Sequence, residues 1–100
     1  MITQIIPKKP AEQFYIGVEW APTLAPGRSL LSCGVSAIDL AAGTDVSATL
    51  LGSTSGGISG TISTVFLRAG TNHRIYVVTF RVILDNGEAL EEDLTIAVDD

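Results

Sequence analysis

The clearest hydrophobic pattern in the chain lies in residues 75–98, which read IYVVTFRVILDNGEALEEDLTIAV. Apolar residues occupy alternate positions in two runs: Val78, Phe80 and Val82 in the first, and Leu94, Ile96 and Val98 in the second. Because side chains on a strand repeat every two residues, this pattern predicts a β-hairpin with one buried face. Asn86 and Gly87 tolerate positive φ, so we expect a type I′ turn between the two strands.

Two further segments carry strand patterns. Residues 14–20 alternate, with apolar side chains at Phe14, Ile16, Val18 and Trp20. Segment 29–42 fits two spacings: a helical one through Leu31, Val35, Ile38 and Ala42, and a strand one through Leu31, Cys33, Val35 and Ala37. Glycine inside a helix costs about 1 kcal/mol. Gly34 therefore favours the strand, with Leu31 and Cys33 on the same face.

The second half of the chain continues this pattern of short strands. Residues 52–60, GSTSGGISG, lack the lysine of a phosphate-binding loop, so we interpret them as a flexible connection. About seven strands at this spacing predict an all-β fold, an antiparallel immunoglobulin-like β-sandwich forming a single domain over residues 1–100. Tyr76 then has two interpretations: its hydroxyl returns to nearby backbone as a tyrosine corner, or it is an ordinary half-buried strand residue.

Composition and charge exclude several classes of function. A net charge of −5 argues against a nucleic-acid partner, and no apolar run is long enough for a transmembrane helix. We expect no catalytic, cofactor-binding or metal-binding residues, and therefore no enzyme. His73, the one histidine, lies in a predicted turn, and Cys33, the one cysteine, lies in an apolar segment. A lone cysteine also forms no internal disulfide, which suits a reducing compartment.

Two surfaces remain as candidates for protein contacts. The first is the N-terminal segment with Ile2, Ile5 and Ile6, where residues 1–12 are either an extended arm or the first strand of the domain itself. If they are an arm, deleting residues 1–10 abolishes assembly and leaves the domain folded. The second is the acidic hairpin strand, with Glu88, Glu91, Glu92 and Asp93. It is interpreted as a solvated sheet edge or as a docking surface for a basic partner.

The N-terminal half resembles small phage and prophage proteins of the fiber–tail adaptor type. The matching residues are Lys9-Pro10-Ala11-Glu12, Phe14-Tyr15, Val18-Glu19-Trp20, Leu24-Ala25 and the strand from Ser29 to Val35. That family has a Lys-Asp-Pro element before a tyrosine-rich strand ending in Asp-Trp. Here the aspartate is missing between Lys9 and Pro10, and Glu19 replaces the usual acid.

The resemblance implies a non-catalytic structural or adaptor protein of a bacteriophage particle, acting through protein–protein contacts in head or tail assembly. Its partners would be other virion proteins or further copies of itself, without nucleic acid, membrane or cofactor. It would be present in the bacterial cytoplasm during assembly and then in the virion. The alternative from the residues is a carbohydrate- or ligand-binding sandwich that uses Tyr15, Trp20 or Tyr76 as stacking platforms.

Overall fold

The computed structural model describes residues 4–99. The strands are β1 Gln4–Lys8, β2 Phe14–Glu19, β3 Leu30–Asp39, β4 Thr44–Asp45, β5 Gly57–Ser59, β6 Ile62–Leu67, β7 Arg74–Leu84 and β8 Ala89–Val98. A 3₁₀ turn covers Ala21–Thr23, and the short helix α1 covers Ser47–Leu50. Within the part of the chain that is described, no helix is long enough and apolar enough to cross a bilayer.

The strands form two sheets. One has five strands in the order β1-β8-β7-β3-β4, and the other has three in the order β2-β6-β5. Neighbours are antiparallel except β1 and β8, which run parallel. The predicted all-β sandwich is thus confirmed. The strand order is compatible with an immunoglobulin-like arrangement, and that narrower assignment stays a prediction.

The core lies between the inner faces of the two sheets, because every second side chain of each strand points inward. Its fully buried members include Leu67, Val78, Phe80, Val82 and Ile96. Trp20 also belongs to this core, and its Nε1–H donates to the buried Ser63 Oγ at 2.8 Å. The indole thus keeps a hydrogen-bond partner after it leaves water.

The hairpin of β7 and β8 forms as predicted, but its turn is of another type. The Gly87 N–H donates to the Leu84 carbonyl at 3.0 Å, and the Leu84 N–H donates to the Glu88 carbonyl at 2.8 Å. Gly87 has φ +90°, whereas Asn86 is not among the described residues with positive φ. A type I′ turn needs positive φ at both central residues, so that prediction is wrong. The loop holds one extra residue, and Gly87 alone supplies the left-handed conformation.

Segment 29–42 contains the predicted strand β3, with Cys33, Val35 and Ala37 on its buried face. The placement of Leu31 on that face is wrong, since Leu31 is 68% exposed. The register with β7 shifts between Leu30 and Ser32. Such a bulge adds a residue to one strand and locally changes which face its side chains occupy. The alternation rule therefore fails at this one residue.

The glycine-rich segment after α1 crosses between the two sheets and is held by backbone hydrogen bonds. Gly52 donates to Phe66 of β6 at 2.8 Å, the Val35 N–H of β3 donates to Thr54 at 2.9 Å, and Gly56 donates to Cys33 at 2.9 Å. A Cβ on Gly56 would lie 2.6 Å from the Cys33 sulfur, so any larger residue would force the Cys33 side chain to move. In place of the flexible connection we predicted, the segment is a hydrogen-bonded crossing that closes one side of the sandwich.

Tyr76, near the start of β7, is buried, and its hydroxyl accepts the Thr71 N–H at 2.9 Å. The structure therefore supports the first interpretation, in which the Tyr76 hydroxyl returns to nearby backbone. This bond joins the strand to the turn before it.

Candidate interaction surface

The N-terminal isoleucines do not share one environment. Ile5 lies on the outer face of the five-stranded sheet and is 67% exposed, whereas Ile6 packs against the core on the inner face. Ile2 lies outside the described residues. Of the two alternatives for this segment, the structure has a sheet strand at Gln4–Lys8, paired with Leu94–Val98 of β8.

Lys8, at the end of β1, explains why this strand is more than an arm. Lys8 is only 2% exposed. Its Nζ donates to the Lys9 carbonyl at 3.0 Å and to the Pro10 carbonyl at 3.3 Å. Burial lowers the pKa of Lys8 from its ordinary value, and the Glu12 carboxylate partly opposes this. Deleting residues 1–10 would remove buried contacts, so it would no longer separate assembly from folding.

The acidic strand also divides between two faces. Glu91 and Asp93 lie on the outer face, whereas Glu92 lies on the inner side next to the buried Leu94. Glu88 is exposed in the hairpin turn, where its carboxylate accepts a hydrogen bond from the Asn86 side-chain amide. The structure thus brings Ile5, Glu91 and Asp93 onto one surface and leaves Ile6, Glu88 and Glu92 outside it.

The position of β8 in the sheet corrects its interpretation as an edge strand. Its last five residues lie between β1 and β7, and within residues 4–99 only its first half, Ala89–Asp93, lacks a strand on the β1 side. Half-buried Glu92 points inward at this open half. An inward charge is one means by which sheets resist edge-to-edge pairing.

We use the name outer face for the exposed side of the five-stranded sheet. Strand pairing places its side chains in rows across β1, β8, β7 and β3. One row is Ile5, Thr95, Val77 and Ile38, and the next contains Pro7, Ala97 and Ile75. Leu40 continues this second row, because its N–H donates to the Ile75 carbonyl. The two rows form an exposed, mainly aliphatic area.

The other end of the outer face is polar, and its charged groups are paired across the hairpin or with the segment before β3. Arg81 Nε lies 3.5 Å from Glu91 Oε1, and both side chains are more than half exposed. The Thr79 hydroxyl donates to Asp93 Oδ1 at 2.8 Å. Asp85 in the turn lies 3.5 Å from Arg28. Asp85, Glu91 and Asp93 therefore each have a partner outside their own strand or turn.

Sequence reasoning missed the residues of β3 and β7 that complete the outer face. These are Ile38, Leu40, Ile75, Val77, Thr79 and Arg81. A signal for them existed, because β7 is apolar at outward positions Ile75, Val77 and Ile83 as well as at inward ones. A strand with one face in water would alternate with polar residues, so apolar residues on both faces indicate a second contact surface.

The three-stranded sheet carries a smaller feature on its own outer side. The rings of Tyr15 and Phe66 lie 5.0 Å apart beside a shallow groove that is also lined by Ser53, Ser55 and Thr64. Tyr15 is 70% exposed, but Trp20 and Tyr76 are buried in the core. Of the three aromatic residues suggested as stacking platforms, only Tyr15 is therefore accessible.

The remaining reactive side chains do not form a site. Cys33 is buried, and burial raises the pKa of its thiol, which disfavours the nucleophilic thiolate. His73 lies in an exposed turn, as predicted, with its Nδ1 3.2 Å from Asp99. Within residues 4–99, no three His, Cys, Asp or Glu side chains converge as a metal site would require.

Comparison with models of protein families identifies a match to most of the chain. The family model described as podophage GP4 fiber-tail adaptor protein gp77 matches residues 8–97, which include all strands except most of β1 and the last residue of β8. The chain belongs to this family. It is therefore a structural phage protein of the fiber–tail adaptor type, and the resemblance in the N-terminal half is confirmed and extended to β8. A search of curated proteins finds no match.

Proposed function

We propose that this fiber–tail adaptor is a non-catalytic component that acts in virion assembly by binding other virion proteins. The observation that supports contact by this chain is its outer face. Ile5, Ile38, Leu40 and Ile75 are all exposed there on adjacent strands. Exposed aliphatic side chains that form a continuous area, with polar groups beside it, are typical of protein-binding surfaces.

Sheet geometry suits this role. An array of side chains on paired strands is held in place by backbone hydrogen bonds and by the core beneath it. Inner-face residues of the same strands, such as Phe80 and Ile96, are completely buried. The surface is therefore preorganised, and little conformational entropy is lost when a partner binds. We infer that residues 1–100 form one domain that presents this surface. We also infer that the protein is in the bacterial cytoplasm during assembly and afterwards in the virion.

A test deletes the gene from the phage that encodes it and restores it on a plasmid. We expect particles without the gene to lack fibres in negative-stain electron microscopy and to lose host adsorption. The wild-type gene should restore both, and an Ile38→Asp/Ile75→Asp variant should not. Ser59→Asp, on exposed β5 of the other sheet, serves as the matched control. Fully fibred particles in the absence of the gene would contradict the proposal.

A second candidate function is sugar binding at the Tyr15–Phe66 groove, because an exposed ring beside hydroxyl side chains fits the face and edge of a pyranose. Glycan-array binding that is lost in a folded Tyr15→Ala variant would support it. Binding unchanged by Tyr15→Ala, or the absence of binding, would remove this candidate.

A further inference from the structure

We propose that the free edge of β2 binds an extended, basic segment of another virion protein, which adds to the three-stranded sheet as a fourth strand. We call this segment the donor strand. The proposal rests on the proposed assembly function and adds a second contact to that of the outer face. Three observations carry it: the backbone groups that β2 leaves unpaired, the protection of the other sheet edges, and the side chains beside β2.

The backbone of β2 has unpaired hydrogen-bonding groups along one side. β2 pairs with β6, and within residues 4–99 no strand lies on its other side. In an antiparallel pair, alternate residues of a strand direct their N–H and C=O groups to the partner strand. The Trp20 N–H continues the pairing and donates to the Thr61 carbonyl at 2.9 Å. Even-numbered residues of β2 therefore bond to β6, whereas Tyr15, Gly17 and Glu19 direct their backbone groups to the free edge.

The free edge of β1 is protected by a proline. The Asp99 N–H donates to the Lys8 carbonyl at 2.9 Å, so even-numbered residues of β1 bond to β8. Ile5 and Pro7 therefore direct their backbone groups to the free side, and Pro7 has no N–H to donate there. Proline on an edge strand opposes the addition of a further strand.

The remaining edges are covered, short or charged. The free side of β3 bonds to the glycine-rich segment, as in the bond from the Val35 N–H to the Thr54 carbonyl. β4 has two residues and β5 has three. The open half of β8 carries the inward-facing Glu92. β2 has six residues, an unshifted register and no proline, lysine or arginine. Within the described residues it is therefore the longest edge that lacks such protection.

Glu19, the charged residue of β2, leaves the edge open and supplies a negative charge beside it. Its carboxylate accepts hydrogen bonds from the Thr61 hydroxyl and, at 2.8 Å, from the Ala21 N–H. Thr61 directly precedes β6, so the carboxylate is turned towards that strand. The hydrogen bonds, that of Thr61 first, lower the pKa of Glu19, which keeps the carboxylate ionised at neutral pH. A donor strand with lysine or arginine opposite Glu19 is therefore favoured. A second β2 would bring another Glu19 and no basic side chain.

The inner side of the donor strand would cover apolar side chains at the margin of the sandwich. The glycine-rich segment joins the β5 side of one sheet to β3 of the other, so β1 and β2 lie at the opposite margin. There Ile6 of β1 and Phe14 of β2 pack against the core but are only half-buried. A strand beside β2 directs every second side chain inward and would extend the apolar layer over them. We therefore expect a donor strand with alternating apolar residues and a basic residue on its outer side.

Hydrogen exchange measured by mass spectrometry tests the backbone contact on the wild-type protein. We expect the amides of Tyr15, Gly17 and Glu19 to exchange quickly in the purified protein. In fibred particles they should exchange at least about tenfold more slowly, because carbonyl groups of the donor strand accept these N–H groups. The control is the Ile58 N–H, which is directed away from β6 on the opposite edge of the same sheet and should exchange equally fast in both samples.

Three exchange results would overturn the proposal. The first is fast exchange of the β2 amides in the particle. The second is equal slowing at Ile58, which would show general burial of the sheet. The third is slow exchange of the β2 amides in the concentrated purified protein alone, which would identify a second copy of the chain as the occupant.

Substitutions at Tyr15 separate the backbone from the side chain. Tyr15→Pro removes an N–H that β6 does not use, and Tyr15→Ala removes the same side chain but keeps that N–H. In the complementation test, Tyr15→Ala should restore fibres and Tyr15→Pro should not, with circular dichroism as the check that both variants fold. If both folded variants restore fibres, or both fail, the strand contact is overturned. The adaptor function stands in either case when deletion of the gene removes the fibres and the wild-type gene restores them.

Glu19 tests the charge of the donor strand. Glu19→Lys should restore fewer fibres than the wild type, because it places a positive charge opposite a basic side chain. Lys9→Glu, which changes an exposed charge outside β2, is the control and should restore fibres fully. Full restoration by Glu19→Lys would overturn the basic character of the donor strand.

Discussion

The two faces of the β7–β8 hairpin use the same strands for different purposes. On the inner face, residues from Tyr76 to Leu84 and from Leu94 to Val98 are buried against the second sheet. On the outer face, isoleucines lie beside charged pairs, and most of these side chains are exposed or half-buried. The difference teaches that inner positions determine whether the chain folds, whereas outer positions stay available for the contacts that we propose.

Phe80 and Arg81 give the strongest test of this comparison, because they are neighbours on opposite faces. Phe80→Ala should lower the free energy of unfolding by about 3–5 kcal/mol, since it leaves a large cavity in the core. Arg81→Ala should change it by less than about 0.5 kcal/mol, as expected for an exposed position. Urea denaturation of the monomer measures both, and equal losses would contradict the division between the faces.

Ser63 tests the hydrogen bond of the buried Trp20 indole. Ser63→Ala leaves the Trp20 N–H without its acceptor, and we expect a loss of about 1–3 kcal/mol. Ser59→Ala, at an exposed position of β5, is the control and should have little effect. The fluorescence of Trp20 reports unfolding directly. A Ser63→Ala protein as stable as the wild type would show that the hydrogen bond contributes nothing.

Tyr76 and Tyr15 differ in burial and provide a matched pair of hydroxyl deletions. Tyr76→Phe removes the acceptor of the Thr71 N–H and should lower stability by about 1 kcal/mol. Hydrogen exchange of the Thr71 amide should become faster. Tyr15→Phe removes an exposed hydroxyl and should leave stability unchanged. If both substitutions have the same effect, the bond between Tyr76 and the turn is unimportant.

Lys8 gives the smallest effect, and it depends on pH. Because burial lowers the pKa of Lys8 from 10.5, the unfolded chain binds this proton more tightly than the folded chain. Relative to Lys8→Met, wild-type stability should therefore rise with pH between the lowered pKa and 10.5, and be constant below that range. Chemical denaturation along a pH series measures the difference. If the free energy of unfolding of the wild type follows pH in parallel with that of Lys8→Met, the effect is absent. Lys9→Met is the control for the loss of an exposed charge.

Much of the fold could be predicted because strand patterns are local. Alternation in residues 14–20 and 75–98 directly reports which side chains face the core, and β2, β7 and β8 follow it. Prediction failed where one extra residue shifts the alternation of inward and outward side chains or lengthens a turn. The bulge after Leu30 exposes Leu31, and one extra residue changes the turn at Gly87. Neither event leaves a periodic signal in the sequence.

The interaction surface was predictable only in part. Ile5, Glu91 and Asp93 were candidates for the interaction surface and do share the outer face, but Ile6 and Glu92 point to the other side of the sheet. To assign a strand residue to one face of a sheet, one must know which residue it pairs with on the neighbouring strand. For β1, that residue lies on β8, a parallel strand at the far end of the chain.

The sequence by itself determined the class of fold, through its period-two pattern. It also showed that the C-terminal residues concentrate negative charge. Only the tertiary structure decided which strands are neighbours, and therefore that Arg28 lies beside Asp85, Arg81 beside Glu91 and Ile5 in one row with Ile38. The physical reason is that periodicity is set by the backbone of a single strand. Charge pairing and surface shape instead depend on contacts between residues that are distant in the chain.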